Sequence, residues 1–341
     1  MYLVTGGSGF CGLEIVKLLL KENEKVRVLD LEPLPKEFRN DRRIEFLQAD
    51  IRDKEKVFEA CKGIKKIIHT IAKVPISKAG KVFWEVNVAG TENLLEAALK
   101  NKVEKVVHIS SSAVQFTEKN PVDELDPYNP IGPYAESKLE GELVCKRFIE
   151  KGLNIDIIRP RTVLGEGRLG IFDILFEWIS EGKNVYVMGS GNNIIQFIHS
   201  EDLARCCYLA SLKKGSNIFN VGSKEFESLR EDLQYLIDYA GTKSKVRSIP
   251  IKPAILILKS LDILHLSPLA SWHYMTYHKD FYFNNERARK ILKWEPKYGN
   301  KEIFKIAYQS YIKNKGKKSE FGTSHRKPLK QGVLKVVKLF S

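Results

Sequence analysis

The sequence predicts an α/β protein: a doubly wound parallel sheet with a smaller mixed α/β region after it. Three observations predict it. Strand-like runs alternate with helical runs through the first half of the chain. A glycine-rich turn joins the first strand to the first helix. After Gly165 the alternation loosens and long helical segments dominate.

Each element follows from its pattern. Tyr2–Thr5 is apolar and strand-like, and Gly12–Lys21 sets Leu13, Val16, Leu19 and Leu20 at helical spacing. Lys25–Asp30 alternates as a second strand, and Ile44–Leu47 is a third. Lys54–Cys61 is helical, and Lys65–His69 is a short strand. Val82–Lys100 reads as one long helix, Val103–Ser110 as a strand, Tyr134–Lys151 as a helix and Ile155–Ile158 as a strand. Strands separated by helices require right-handed crossovers and a parallel sheet, with ligands at the carboxyl ends of the strands. In the second half, helical Phe172–Glu181, Ser200–Leu212, Glu231–Ala240 and Lys252–Leu264 alternate with short strands at Val185–Met188, Ile218–Val221 and Lys245–Ile249. The expected division is a nucleotide-binding domain at 1–165, a substrate-binding region at 166–312 and a basic tail at 313–341.

Composition bounds the function. The chain has 341 residues, of which 43% are hydrophobic and 29% charged, enough for one large core or two moderate ones. Mean hydropathy is −0.26, as in soluble globular proteins. The longest apolar stretch, Ile255–Leu266, is broken by Lys259 and Asp262, too short for the roughly 20 residues of a membrane span. No secretory leader precedes the first strand, so a cytoplasmic location is expected. Cys11, Cys61, Cys145, Cys206 and Cys207 show no metal-ligand spacing; reduced thiols and no metal are expected. Of the net charge of +14, the tail from Lys313 carries +8. Its last segment, Gly332–Phe340, sets apolar residues around Lys335 and Lys338. It fits either an amphipathic helix on an anionic membrane or a segment docked on the protein's own surface. With little aromatic interleaving, no nucleic-acid partner is expected.

The strongest motif is Thr5-Gly6-Gly7-Ser8-Gly9-Phe10-Cys11-Gly12. Gly6, Gly9 and Gly12 permit a sharp turn, close approach to a pyrophosphate and tight helix–strand packing, while the start of the helix offers free N–H groups. Asp30 ends the second strand, where a carboxylate binds ribose hydroxyls and repels a 2′-phosphate. That is the Rossmann pattern, and it favours NAD over NADP.

Tyr134 and Lys138 stand four residues apart on one helix, so they share a face. An ammonium beside a phenol favours the phenolate, which makes the tyrosine a usable base. Ser110-Ser111-Ser112 ends a strand, where a hydroxyl can meet a substrate oxygen.

Together with Asp50-Ile51, Ala72, Asn87-Val88-x-Gly90-Thr91-x-Asn93-Leu94, Arg159-Pro160 and Phe197–Ala204, these motifs resemble the extended short-chain dehydrogenase/reductases of the NAD-dependent epimerase/dehydratase type. The resemblance spans roughly residues 1–310. It implies Tyr134 as acid/base, Lys138 as ribose ligand and tuner of Tyr134, and Ser112 as polariser of the substrate oxygen. It also implies cofactor contacts from Gly6, Gly9, Phe10, Cys11, Gly12, Asp30, Asp50, Ile51, Ala72, Asn87, Ser110 and Pro160, together with Tyr134 and Lys138. A homodimer is common in such proteins.

Departures narrow the reaction. Family dehydratases carry an Asp-Glu pair where this chain has Ala113-Val114, which disfavours dehydration. Ser-Ser-Ser-Ala-Val resembles nucleotide-sugar 4-epimerases, and epimerisation of a nucleotide sugar is the leading expectation. Thr162 and Ile195, however, stand where Asn and Arg often meet the nucleotide phosphates; Arg161, Arg168, Lys183 and Arg247 are candidate substitutes. The alternative is a 3β-hydroxysteroid-dehydrogenase-like enzyme acting on a lipid or sterol-like alcohol. Ile68-His69-Thr70-x-Ala72 and the apolar Ile249–Leu269 stretch resemble that branch, although core packing is the simpler reading of those apolar positions. A non-catalytic NAD-sensing scaffold is the third reading; the presence of Ser112, Tyr134 and Lys138 argues against it.

Overall fold

The computed structural model describes residues 1–75, 79–168, 170–264, 266, 269, 271–316 and 338. In chain order they form β1 (Tyr2–Thr5), α1 (Phe10–Lys21), β2 (Val26–Asp30), β3 (Ile44–Gln48), α2 (Lys54–Cys61) and β4 (Lys66–His69). One helical run follows: α3 (Val82–Trp84), a π turn (Glu85–Ala89) and α4 (Gly90–Lys100). Next come β5 (Lys105–Ile109), α5 (Gly132–Glu150), β6 (Ile155–Pro160), β7 (Thr162–Leu164), α6 (Ile171–Ser180), β8 (Val185–Met188) and β9 (Phe197–His199). The remainder is α7 (Ser200–Ser211), β10 (Ile218–Val221), α8 (Leu229–Ala240), β11 (Val246–Ile249), α9 (Ile251–Ile263), α10 (Ser271–Thr276), α11 (Glu286–Leu292) and α12 (Asn300–Asn314).

Seven parallel strands form the main sheet, in the order β10-β6-β5-β4-β1-β2-β3. Alternation along β1 sends Tyr2 and Val4 to one face and Leu3 to the other. On the first face, Leu13 and Val16 of α1 and Leu203 and Cys207 of α7 cover the sheet. On the second face, Val57 of α2, Leu94 of α4 and Val144 of α5 do so. This is the expected doubly wound arrangement. Cys61, Cys145, Cys206 and Cys207 are buried free thiols, and Cys11 is partly exposed.

One strand lies elsewhere than expected. Ile218–Val221, assigned from sequence to the substrate region, is the edge strand β10 of the main sheet, in register with Ile157–Pro160 of β6. The helix before it, α7, packs on α1. The strand's burial on the sheet and the open hydrogen-bonding edge of β6 decide this, so the chain returns to the nucleotide-side sheet well beyond residue 165. Small parallel pairs, β7 with β9 and β8 with β11, form the other layer. Phe172, Phe176, Leu236 and Phe304 fill the core there.

The apolar stretch in α9 is not core. Only Ala254 is buried in that helix, while Leu256 is 67% and Ile263 70% exposed. The core-packing reading of this segment is therefore corrected. No helix among the described residues is long and apolar enough to cross a membrane. The tail segment Gly332–Phe340 lies outside the described residues except for Lys338, which pairs with Glu177 of α6 and, at 2.9 Å, with Glu181 just past its end.

Candidate active site

A cleft of about 440 Å³ opens at the carboxyl ends of β1, β2, β4, β5 and β6. Its floor is the glycine turn. Gly6 has φ +78°, and a Cβ there would lie 2.6 Å from Thr70 Oγ1. A Cβ on Gly12 would lie 2.0 Å from the Gly6 carbonyl oxygen. Both positions exclude side chains on steric grounds. Gly9 caps α1 without any side-chain bond, so the first N–H groups of the helix keep their capacity for an anion.

Asp30 lies on the cleft wall. Its carboxylate accepts from Ser8 N (3.0 Å) and Glu32 N (3.2 Å). Burial raises its pKa, and those amides pull it back. Asp50, Ile51 and Ala72 line the adjoining wall, with Asp50 held by Arg52 at 2.7 Å. A pyrophosphate-sized cradle beside a fixed carboxylate fits the dinucleotide that the sequence implies.

Tyr134 and Lys138 rise from the first turns of α5 into the same cleft, and Ser110, Ser112 and Pro160 line it from the ends of β5 and β6. Phe83 packs edge-on against the Tyr134 ring, with 6.2 Å between centroids. Lys138 Nζ donates to the Ile109 carbonyl at 2.6 Å, and burial lowers its pKa to about 8. Burial likewise raises the pKa of Tyr134, against a hydrogen bond with Ser111 that lowers it. Lys138 is not among the groups that lower it, and loss of water disfavours both charged forms.

Two expected contacts are supports instead. The Asn87 side chain is buried in the π turn. It accepts from Lys73 N (2.7 Å) and donates to Ser137 Oγ (2.9 Å), tying the β4 loop to α5 behind the cleft. The Ser110 hydroxyl turns away to Glu142 (2.6 Å), which also pairs with the buried Arg159. His69, part of the steroid-like motif, is a core residue bonded to Thr5 (2.6 Å) and Thr91 (3.1 Å). At the phosphate positions, Thr162 shares a 3.3 Å hydrogen bond with Tyr277, and Ile195 is buried in the core.

The substrate end holds residues the motifs did not specify. Trp272, His273 and Tyr277 reach it from α10 and the segment after it, Phe172 from α6, and Arg161 and Arg168 from the loops after β6 and β7. No sequence signal marks the α10 residues, because their role depends on folding back over more than a hundred intervening residues. Of the four basic substitutes, Arg161 and Arg168 line the cleft, whereas Lys183 and Arg247 do not.

Comparison with known proteins fits this architecture. A putative UDP-glucose 4-epimerase of Methanocaldococcus jannaschii is 34% identical over 245 residues, covering 68% of this chain and 79% of that protein. The human decarboxylating sterol-4-alpha-carboxylate 3-dehydrogenase is 27% identical over 339 residues, covering 90% and 87%. The crystal structure of Thermus thermophilus UDP-glucose 4-epimerase in complex with NAD superposes with a TM-score of 0.73 at 26% identity, covering 91% and 98%. The NAD dependent epimerase/dehydratase family model matches residues 2–222, and the chain belongs to that family of NAD-dependent enzymes.

Proposed function

We propose that this enzyme reversibly oxidises a secondary alcohol of a nucleotide sugar with bound NAD, giving the C4 epimer. The observation that carries the reading is the convergence of Ser112, Tyr134 and Lys138 on the cleft that also holds the glycine turn and Asp30. Bound NAD supplies the hydride acceptor, and its positive ring favours a nearby phenolate. Ser112 Oγ orients the substrate oxygen by a hydrogen bond. Tyr134 takes the proton of the hydroxyl and returns it when the ketone is reduced on its opposite face. Lys138 would hold a ribose hydroxyl of the bound cofactor and stabilise the phenolate. Asp30 would accept from the adenosine ribose and select against a 2′-phosphate. Ala113 and Val114 are both buried and apolar, so elimination of water has no acid–base pair there.

The second reading is oxidation of a lipid or sterol-like alcohol. One observation favours it: Leu256, Ile257, Ile263 and Leu264 of α9 and its end are exposed beside α10, which supplies Trp272 and His273 to the cleft. The sterol dehydrogenase relative supports it as well. A homodimer, and contact of the basic tail with an anionic membrane, belong to the proposal and carry no part of the chemistry.

Incubation with UDP- and GDP-sugars without added NADH tests the first reading, and a C4 epimer is the expected product. Absence of epimer together with NADH formation from hydroxysteroids would replace it with the second.

A further inference from the structure

Five cations are buried among the described residues: Lys138, already placed beside Tyr134, and four more that fall into two kinds. Arg159 pairs with Glu142 at 2.6 Å and Lys105 with Asp156 at 2.9 Å. Arg161 and Arg168 are 4% and 9% exposed, and neither makes a salt bridge among the described residues. Arg161 Nε donates to the Gln196 carbonyl (3.1 Å) and Nη1 to Ser112 Oγ (3.1 Å). Its guanidinium lies 3.9 Å from the Phe281 ring centroid. Arg168 lies 5.3 Å from the Phe10 ring centroid, and its Nε is buried without a hydrogen-bond partner. Burial lowers the pKa of Arg161 to about 9 and that of Arg168 to about 10. A buried, unpaired cation is costly, and the chain neutralises the other two. Both uncompensated groups line the substrate end of the cleft.

We infer that Arg161 and Arg168 form an anion subsite that holds a carboxylate carried by the substrate close to the carbon being oxidised. The link to the reacting carbon is Ser112: Arg161 Nη1 donates to the hydroxyl proposed to meet the substrate oxygen, so an anion on Arg161 lies near that oxygen. The substrate class is therefore a ring-borne hydroxy acid, and guanidinium forks suit carboxylates by bidentate bonding. This rests on the oxidoreductase reading, but its test needs no turnover, so the two fail separately.

Malonate and inorganic phosphate are titrated into the NADH-loaded enzyme and followed by cofactor fluorescence. The expected result is saturable binding, with malonate tighter than phosphate. Arg161→Met and Arg168→Met each weaken malonate at least tenfold, while the Kd for NADH stays within twofold. Arg161→Lys, which keeps the charge but loses the fork, gives an intermediate affinity and guards against a folding defect in the Met variant. Three outcomes overturn the inference: no saturable malonate binding by the wild type, unchanged malonate affinity in the Met variants, or phosphate binding tighter than malonate. A parallel loss of NADH affinity in Arg168→Met overturns the assignment of that residue and places it with the cofactor.

Discussion

Helices α1 and α9 carry eight apolar side chains each and meet opposite fates. In α1 the apolar stripe is pressed between the main sheet and α7, and Leu13, Ile15, Val16, Leu19 and Leu20 are all buried. In α9 only Ala254 is; Ile251, Ile255, Leu258 and Leu261 are half-buried, and Leu256, Ile257 and Ile263 are exposed on a helix packed against α10. The difference teaches that apolar content fixes helix formation without fixing burial. The nucleotide side is built on a sheet with two covered faces. The substrate side is built on short strand pairs and on helices with an unfilled outer face. Tyr134 and Lys138 stand at the seam between them.

The largest expected effect lies at that seam. Tyr134→Phe should lower turnover by about a thousandfold, within the range of a lost acid/base group. NAD binding, measured by titration, should be retained, because the cofactor's other contacts lie on the nucleotide side. Full activity in this variant would remove the assigned base.

The helix comparison itself can be broken by denaturation. Leu19→Ala should cost about 2–5 kcal/mol, as for a buried leucine. Leu256→Ser should change stability by no more than about 0.5 kcal/mol, as for an exposed site. Equal losses would mean that α9 is covered in solution.

A pH series sharpens the picture of the seam. Folded Lys138 releases its proton near pH 8, whereas the unfolded chain holds it to its ordinary 10.5. Between those values the unfolded state binds more protons, so stability rises with pH through this window. The full cost is present below pH 8. The rise, up to about 3 kcal/mol, should vanish in Lys138→Met, compared with wild type by thermal melts without cofactor.

Much of the nucleotide side was legible because its constraints are local. Gly12 is dictated by the Gly6 carbonyl six residues earlier, Gly6 by its positive φ as well as by the distant Thr70, and Tyr134 with Lys138 by one turn of helix. The bonding directions of Asn87 and Ser110 were not readable from sequence: Asn87 serves Lys73 and Ser137, and Ser110 serves Glu142. Those partners are set by how α5 crosses the sheet.

By itself the sequence determined the strand–helix alternation, the cradle at Gly6–Gly12 with Asp30 beside it, and the presence of Ser112, Tyr134 and Lys138. Periodicity, glycine sterics and short spacing act over a few residues, and a linear pattern records them. Only the tertiary structure returned Ile218–Val221 to the main sheet, left Leu256 and Ile263 of α9 exposed and, among the described residues, set Arg161 against Ser112 without a carboxylate partner. Each of those depends on which distant surface a segment meets, and desolvation and charge pairing exist only once that surface is in place.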